Sequence, residues 1–383
     1  MAAPTLADLL DALETIAPLH AAEEWDNVGL LVGDASRADA TPLDGPVLLT
    51  IDCTEAVARE AVEAGASVVV SYHPPLFRPV RRLDGSTARL RAVLLAAAHD
   101  MAIYSPHTAL DAAPGGVADW LCDLLAPEHG SLGDRRALIA SSEPSSAGEH
   151  KIVTFAPPDA VDTLRKALAS IGAGRIGEYS LCSFNVRGLG TFQGSEKTSP
   201  AVGEAGRLET VEEVRLEMVC PAQALPLAVE MVRQFHPYEE PPIDLYPLAP
   251  RPSRSSGAGR RVTLDRPVAV EELALRLKER LGAATVKLAK ASDAPAQRVG
   301  VCPGSGGGLL DAAIEQDCDC FVTGEMQHHQ ALTAVERGCS IILAGHTTTE
   351  RGFLPHYAAM IRERLDGVET LVSRCDEPIF RAL

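Results

Sequence analysis

Apolar and polar positions change rhythm along the chain in three blocks. After an opening amphipathic helix and a loop (residues 1–33), short unbroken apolar runs alternate with stretches of helical period. The runs are 46–52 (PVLLTID), 67–73 (SVVVSYH) and 101–107 (MAIYSPH); TEAVAREAVEAGA (54–66), TARLRAVLLAAAHD and GVADWLCDLL supply the helices. Such alternation predicts βαβ units around a parallel sheet. The last block repeats the rhythm. Strands are predicted at 297–302 (QRVGVC), 319–325 (DCFVTGE) and 340–346 (SIILAGH), each followed by a helix, and the chain closes on VETLVS.

The middle block reads differently. Strands at 151–157, 180–192, 210–221 and 243–248, with helices at 159–172 and in AQALPLAVEMVRQFHP, give the order β-α-β-β-α-β, the ferredoxin-like pattern. Residues 141–149 (SSEPSSAGE) and 249–261 (APRPSRSSGAGRR) flank it and have linker composition. The expected fold is therefore α/β. Two βα-repeat halves, 1–140 and 255–383, form one discontinuous metal-binding domain, interrupted by an inserted ferredoxin-like α+β module at 150–250.

Composition narrows the function classes. The net charge of −17 argues against duplex nucleic acid, which needs Lys and Arg to displace counterions. No apolar run reaches bilayer length and the N-terminus lacks a basic n-region, so neither a membrane partner nor a secretory signal is expected. The 9 Cys are an odd number scattered through apparent core segments, which suits a reducing cytoplasm. Cys318 and Cys320 read as alternate strand residues rather than zinc ligands.

In parallel α/β sheets, ligands bind beyond the carboxyl ends of the strands. His73 ends one predicted strand. His107 ends another, with Asp111 just beyond. Glu325 ends a third, followed by His328 and His329, and His346 ends a fourth, followed by Glu350. Taken alone, GHTTTERGFLP (345–355) reads either as a threonine-capped helix start or as half of a metal site. Four strand ends of this kind favour a shared site. Imidazole with carboxylate and no thiolate suits Zn²⁺, Mn²⁺ or Fe²⁺. Two such ions can share and activate one water for hydrolysis.

The motifs EEWDNVGLLVG (23–33), SYHPPLF (71–77), HTALDAAPGGV (107–117), TGEMQHH (323–329) and GHTTTERGFLP carry a family resemblance. The chain resembles the Nif-three-like family of dinuclear-metal hexameric proteins, also called GTP cyclohydrolase 1 type 2 homologues. GEYSLCSFNVRGLGTF and HPYEEPPIDLYPL resemble the inserted module of the longer members, which is similar to regulatory trimeric ferredoxin-like proteins. The resemblance implies two divalent ions per chain, with His73 and Asp111 on one, His346 on the other and Glu350 bridging, while the threonines cap the same helix. It also implies a toroidal homohexamer. There is one departure. Many members carry two adjacent His where this chain has Tyr72 and His73. The missing imidazole would serve the ion on His346. Tyr72, His107 or water would fill the gap, so one-ion and two-ion sites both stay open.

Other readings are paired. Asp26 and Asn27 either orient ligands from behind or form a turn above Trp25. Glu325 and His329 are candidate general acid or base groups, or Glu325 caps the next helix. PGSGGG (303–308) is either a phosphate cradle or a turn allowing close backbone approach. Two functions follow. One is a metal-dependent hydrolase acting on a nucleotide or related small molecule. The alternative is a regulatory or scaffold hexamer whose metals are structural or sensory and whose inserted module binds an effector or partner.

Overall fold

The computed structural model describes residues 4–127, 132–143, 150–249 and 251–380. They divide into two compact units, Met1–Ser142 with Pro252–Leu383, and Glu143–Arg251.

The discontinuous unit holds two sheets. The first contains β1 (Gly29–Val32), β2 (Val47–Asp52), β3 (Val68–His73), β4 (Ala102–Ser105) and the chain's last strand, Thr370–Val372, in the order β1-β4-β3-β2 and then Thr370–Val372. All pairings are parallel except β1 with β4. Its central strands are apolar on both faces because helices cover both. Val47, Leu49, Val68 and Val70 pack with helices Leu6–Ile16 and Leu354–Arg364. Leu48, Val69 and Ile103 pack with helices Glu55–Glu63 and Ala88–Ala98. The first helix starts at a capping box in which Thr5 and Asp8 exchange hydrogen bonds, a feature worth about 1 kcal/mol.

The second sheet contains β5 (Leu132–Glu143) and, after the middle block, β10 (Arg251–Val268), β11 (Lys287–Ala289), β12 (Ala296–Ser305), β13 (Cys320–Glu325) and β14 (Ser340–Leu343), ordered β11-β14-β13-β12-β10-β5. β12, β13 and β14 are parallel neighbours. Val299, Val301, Val322 and Ile342 meet helices Val117–Asp123 and Val270–Arg280 on one face. Phe321 and Ile341 meet helices Leu310–Glu315 and His328–Glu336 on the other.

The second unit is a four-stranded antiparallel sheet of β6 (His150–Ala156), β7 (Phe184–Gln193), β8 (Leu208–Cys220) and β9 (Ile243–Pro247) in the order β7-β8-β6-β9. Helices Val161–Ser170 and Leu225–Phe235 pack on Ile152, Leu216 and Met218 through Leu164, Leu168, Ala228 and Val232. Its element order is β-α-β-β-α-β.

The structure corrects several local expectations. The stretch 249–261 is not a linker: from Arg251 onward it belongs to β10. Its Pro, Ser and Gly content hid the strand, yet Gly259 has φ +58°, and a Cβ there would sit 3.0 Å from Val301 O on the neighbouring strand. Close strand approach, not flexibility, explains that glycine. Residues 141–143 end β5, and 144–149 lie outside the described residues. The loop after the first helix contains edge strand β1. Two predicted strands stop short of their histidines, β4 at Ser105 and β14 at Leu343.

Candidate metal centre

Parallel register brings the first half of the site together. Asp52 and His73 are the last residues of β2 and β3 and are direct pairing partners. His73 Nδ1 lies 3.0 Å from Asp52 Oδ1. The second half comes from the other sheet. His346 lies in the loop after β14, and its Nδ1 is 2.9 Å from Oε1 of Glu325, the last residue of β13. A third histidine, His107, opens helix His107–Ala112 with φ +29°, and its Nδ1 is 2.8 Å from Asp26 Oδ1. Asp26 Oδ2 also accepts from the Thr108 N–H and hydroxyl, so this loop orients His107 from behind. In each case a carboxylate engages Nδ1 and leaves Nε2 as the nitrogen available to a ligand, the usual arrangement behind metal-ligating imidazoles.

Glu350 lies between the two halves. It sits on the helical turn Thr348–Arg351, with Oε1 3.3 Å from His346 Nε2 and Oε2 3.6 Å from His73 Nε2. The turn is tied to the first sheet through Asp376, whose carboxylate accepts from Ile51 N–H at 2.7 Å and pairs with Arg351 at 2.6 Å. Potential ligand atoms of His73, His346 and Glu350 all lie within 4.8 Å of one another. Glu350 is 3% exposed, and its Oε2 is buried with no hydrogen-bond partner.

Gly304 makes room for this carboxylate. Its φ is +60°, and a Cβ there would run into Glu350 Oε1. Its N–H donates to Thr349 Oγ1, and the Gly306 N–H donates to Thr323 Oγ1, both at 2.9 Å. Those donors are spent inside the protein, so at these positions the glycines serve close approach rather than a phosphate. The threonines also behave differently from expectation. Thr347 occupies the N-cap position in helical conformation and makes no capping bond, while Thr349 holds the Gly304 loop.

Asp111 is close by but differently engaged. Its Oδ1 accepts a 2.5 Å hydrogen bond from Tyr72 OH, and it does not join the group of three mutually close ligands. Burial is the main influence on Asp111 and pushes its pKa up to about 7, against the Tyr72 bond and the nearby His107 and His73, which lower it. Burial and the Asp111 charge also raise the Tyr72 phenol well above its ordinary value, so it remains a donor. Burial disfavours a charged His73, but the bond to Asp52 and the negative charge of Asp52 and Glu350 outweigh it and push its pKa up to about 10. Burial likewise opposes ionisation of Asp52 and Asp26, and their bonds to His73 and His107 win, holding both below the usual carboxylate range.

Asp52, Tyr72, His73, His107, Asp111, His346 and Glu350 line a cavity of about 700 Å³ that also includes Trp25, Phe77, Arg89 and Cys302, with Asp26 behind its wall. Burial raises the Cys302 thiol, as it raises those of Cys320, which opens β13, and of Cys318, which lies in the turn before that strand rather than in it, so none is a ready thiolate ligand. Two sequence expectations are redirected. Glu325 neither caps the following helix nor lines the cavity; it holds His346. His329 is exposed on helix His328–Glu336 and is not among the cavity residues. Asp52 was not singled out in the sequence, although it closes the strand beside the one that ends in His73.

Among the described residues, no helix is long and apolar enough to cross a membrane. The family description Duf34/NIF3 (NGG1p interacting factor 3) matches residues 4–378. The GTP cyclohydrolase 1 type 2 homolog of Halalkalibacterium halodurans is 35% identical over 338 residues, covering 88% of this chain and 87% of that protein. Its Bacillus subtilis counterpart is 31% identical over 379 residues, covering 98% of each. A crystal structure of a Bacillus cereus protein related to NIF3 superposes with a TM-score of 0.67 at 30% identity, and one of Staphylococcus aureus protein SA1388 with 0.76 at 27%, each covering 100% of both chains. The shared fold, the full-length sequence match and the retained strand-end motifs lead to one conclusion: this chain belongs to the DUF34/NIF3 family.

Proposed function

We propose that this chain is a divalent-metal-dependent hydrolase acting on a nucleotide or related small molecule. The observation that carries the reading is the buried Glu350 Oε2. It lacks a hydrogen-bond partner, and the neighbouring His73 Nε2 at 3.6 Å is too distant to supply one. An unpaired buried carboxylate oxygen is costly, and a cation held by His73, His346 and Glu350 would satisfy it. The nitrogen and oxygen donors suit Zn²⁺, Mn²⁺ or Fe²⁺.

When bound, such an ion supplies an activated water and polarises the bond to be cleaved. The protein does the rest. Asp52 and Glu325 fix the tautomers of His73 and His346. His107, oriented by Asp26, offers Nε2 as the proton acceptor in the cavity. The names of the relatives point to a purine nucleotide as the first substrate class to try. The family resemblance supports a homohexamer, which light scattering on the purified protein measures.

The donor geometry supports one tightly held ion per chain, with Asp111 kept by Tyr72. Metal analysis of protein purified without a chelator or His tag is the test. One equivalent, absent in Glu350→Gln, is expected, together with nucleotide hydrolysis that depends on it. In Tyr72→His, Asp111 gains an imidazole neighbour and stoichiometry rises toward two. Full hydrolytic activity in metal-stripped protein would sink the reading.

A further inference from the structure

Trp25 is 60% exposed, an unusual position for the largest apolar side chain. It lines the cavity that contains the candidate ligands, together with Phe77. The two rings meet edge to face at 5.9 Å, and Trp25 stands at 6.0 Å from His107 in the same manner. Phe77 and Tyr72 also pack edge-on against His107, at 6.4 and 5.6 Å. The wall is thus braced from behind. Asp26 holds His107, and the Asn27 side chain donates to Leu76 O, tying the Trp25 loop to the Phe77 loop. A braced, solvent-open indole beside a polar floor is suited to stacking a flat π-ring.

Charge around the cavity is uneven. Glu23, Asp52, Asp111 and Glu350 make its lining acidic, and Arg89 is the one guanidinium or ammonium among the lining residues described. Arg89 sits in the first turn of helix Ala88–Ala98, where free N–H groups add to its positive field. It is exposed and has no ion-pair partner among the described residues. A guanidinium in that state matches a phosphate or carboxylate bidentately.

We infer that Trp25, braced by Phe77, and Arg89 form the recognition subsite of this cavity, taking a flat heteroaromatic ring on the indole and its anionic substituent on the guanidinium. The inference rests on the hydrolase reading and specifies its substrate: the anionic group is anchored by Arg89, not by the ion. Trp25 and Arg89 set specificity and are not among the candidate ion ligands; Trp25 meets His107 only ring edge to face.

The chain has 2 Trp, so Trp120→Phe leaves Trp25 as the sole indole reporter. In that protein, both metal-stripped and zinc-loaded, GMP should quench the emission saturably. Its half-saturation concentration should lie about tenfold below that of guanosine, the size of one charge-assisted contact. Arg89→Ala should erase the difference between the two ligands. In calorimetry on the otherwise unchanged chain, Trp25→Leu should weaken GMP binding about tenfold or more with zinc content unchanged. Three results would overturn the inference: an indole already shielded from acrylamide in the free protein, no saturable quenching, or equal affinity for GMP and guanosine. Quenching in a protein that never binds zinc would keep the subsite and defeat the hydrolase reading. Zinc bound without quenching would do the reverse.

Discussion

The two sheets of the discontinuous unit present their histidines by related but unequal means. On the first, Asp52 and His73 are the terminal, paired residues of adjacent parallel strands, so a backbone ladder sets the distance between carboxylate and imidazole. On the second, Glu325 still ends a strand, but His346 lies beyond the last residue of β14 in a loop that turns through Gly345 at φ +92°. The supporting carboxylates differ in exposure too, with side chains 34% exposed for Asp52 and 56% for Glu325. One half of the site is built into the sheet, and the other is hung from it. A site assembled in this way keeps one imidazole fixed while the other can adjust to the ion.

The largest effect should come from removing the group both halves share. Glu350→Gln should lower zinc affinity by more than the roughly 100-fold that changes behind a ligand reach, measured by competition with a chromophoric chelator. Asp52→Asn should cost close to 100-fold and Glu325→Gln nearer 10-fold, because water replaces the exposed carboxylate more readily. Equal losses would show that the ladder confers no advantage. Hydrogen exchange sharpens the contrast further. Stripping the ion should loosen 345–350 and leave 68–73 protected.

The pH dependence belongs to the ladder half. His73 holds its proton up to about 10 in the folded protein, whereas an unfolded histidine loses it near 6.5. Its contribution to the stability of metal-stripped protein is therefore full below 6.5 and lost as pH rises toward 10. Zinc must displace that proton from Nε2, so affinity should rise over the same window. Asp52→Asn should flatten both slopes, read by melting temperature and by zinc titration.

Much of this arrangement is legible in the sequence, and the rest is hidden for identifiable reasons. β2, β3, β13 and β14 announce themselves because strands buried on both faces are continuous apolar runs, and their ends mark His73 and Glu325 directly. Glu350 needs the family motif, since a His and a Glu four apart on a helix are common. The partner of each histidine is harder to read. Asp52 is adjacent to His73 only through sheet pairing, and Glu325 looks like an acid–base group until its bond to His346 is seen. β10 is masked because its sequence serves close packing with Gly and Pro where a strand ordinarily shows alternation. His329 follows Glu325 in sequence, but the intervening turn carries it to the exposed side of its helix.

The donors of the site are residues 73, 346 and 350, and the whole of the second unit is threaded between them. Strand Thr370–Val372, near the chain's end, pairs with β2 near its beginning. During synthesis, therefore, His73 emerges long before its fellow ligands, and the strand beside β2 arrives later still. Until then His73 has neither His346 nor Glu350 beside it with which to share an ion. On the proposed reading, loading waits until residues 346–350 have folded against residue 73, so whichever divalent cation is then most available has the first claim on the site.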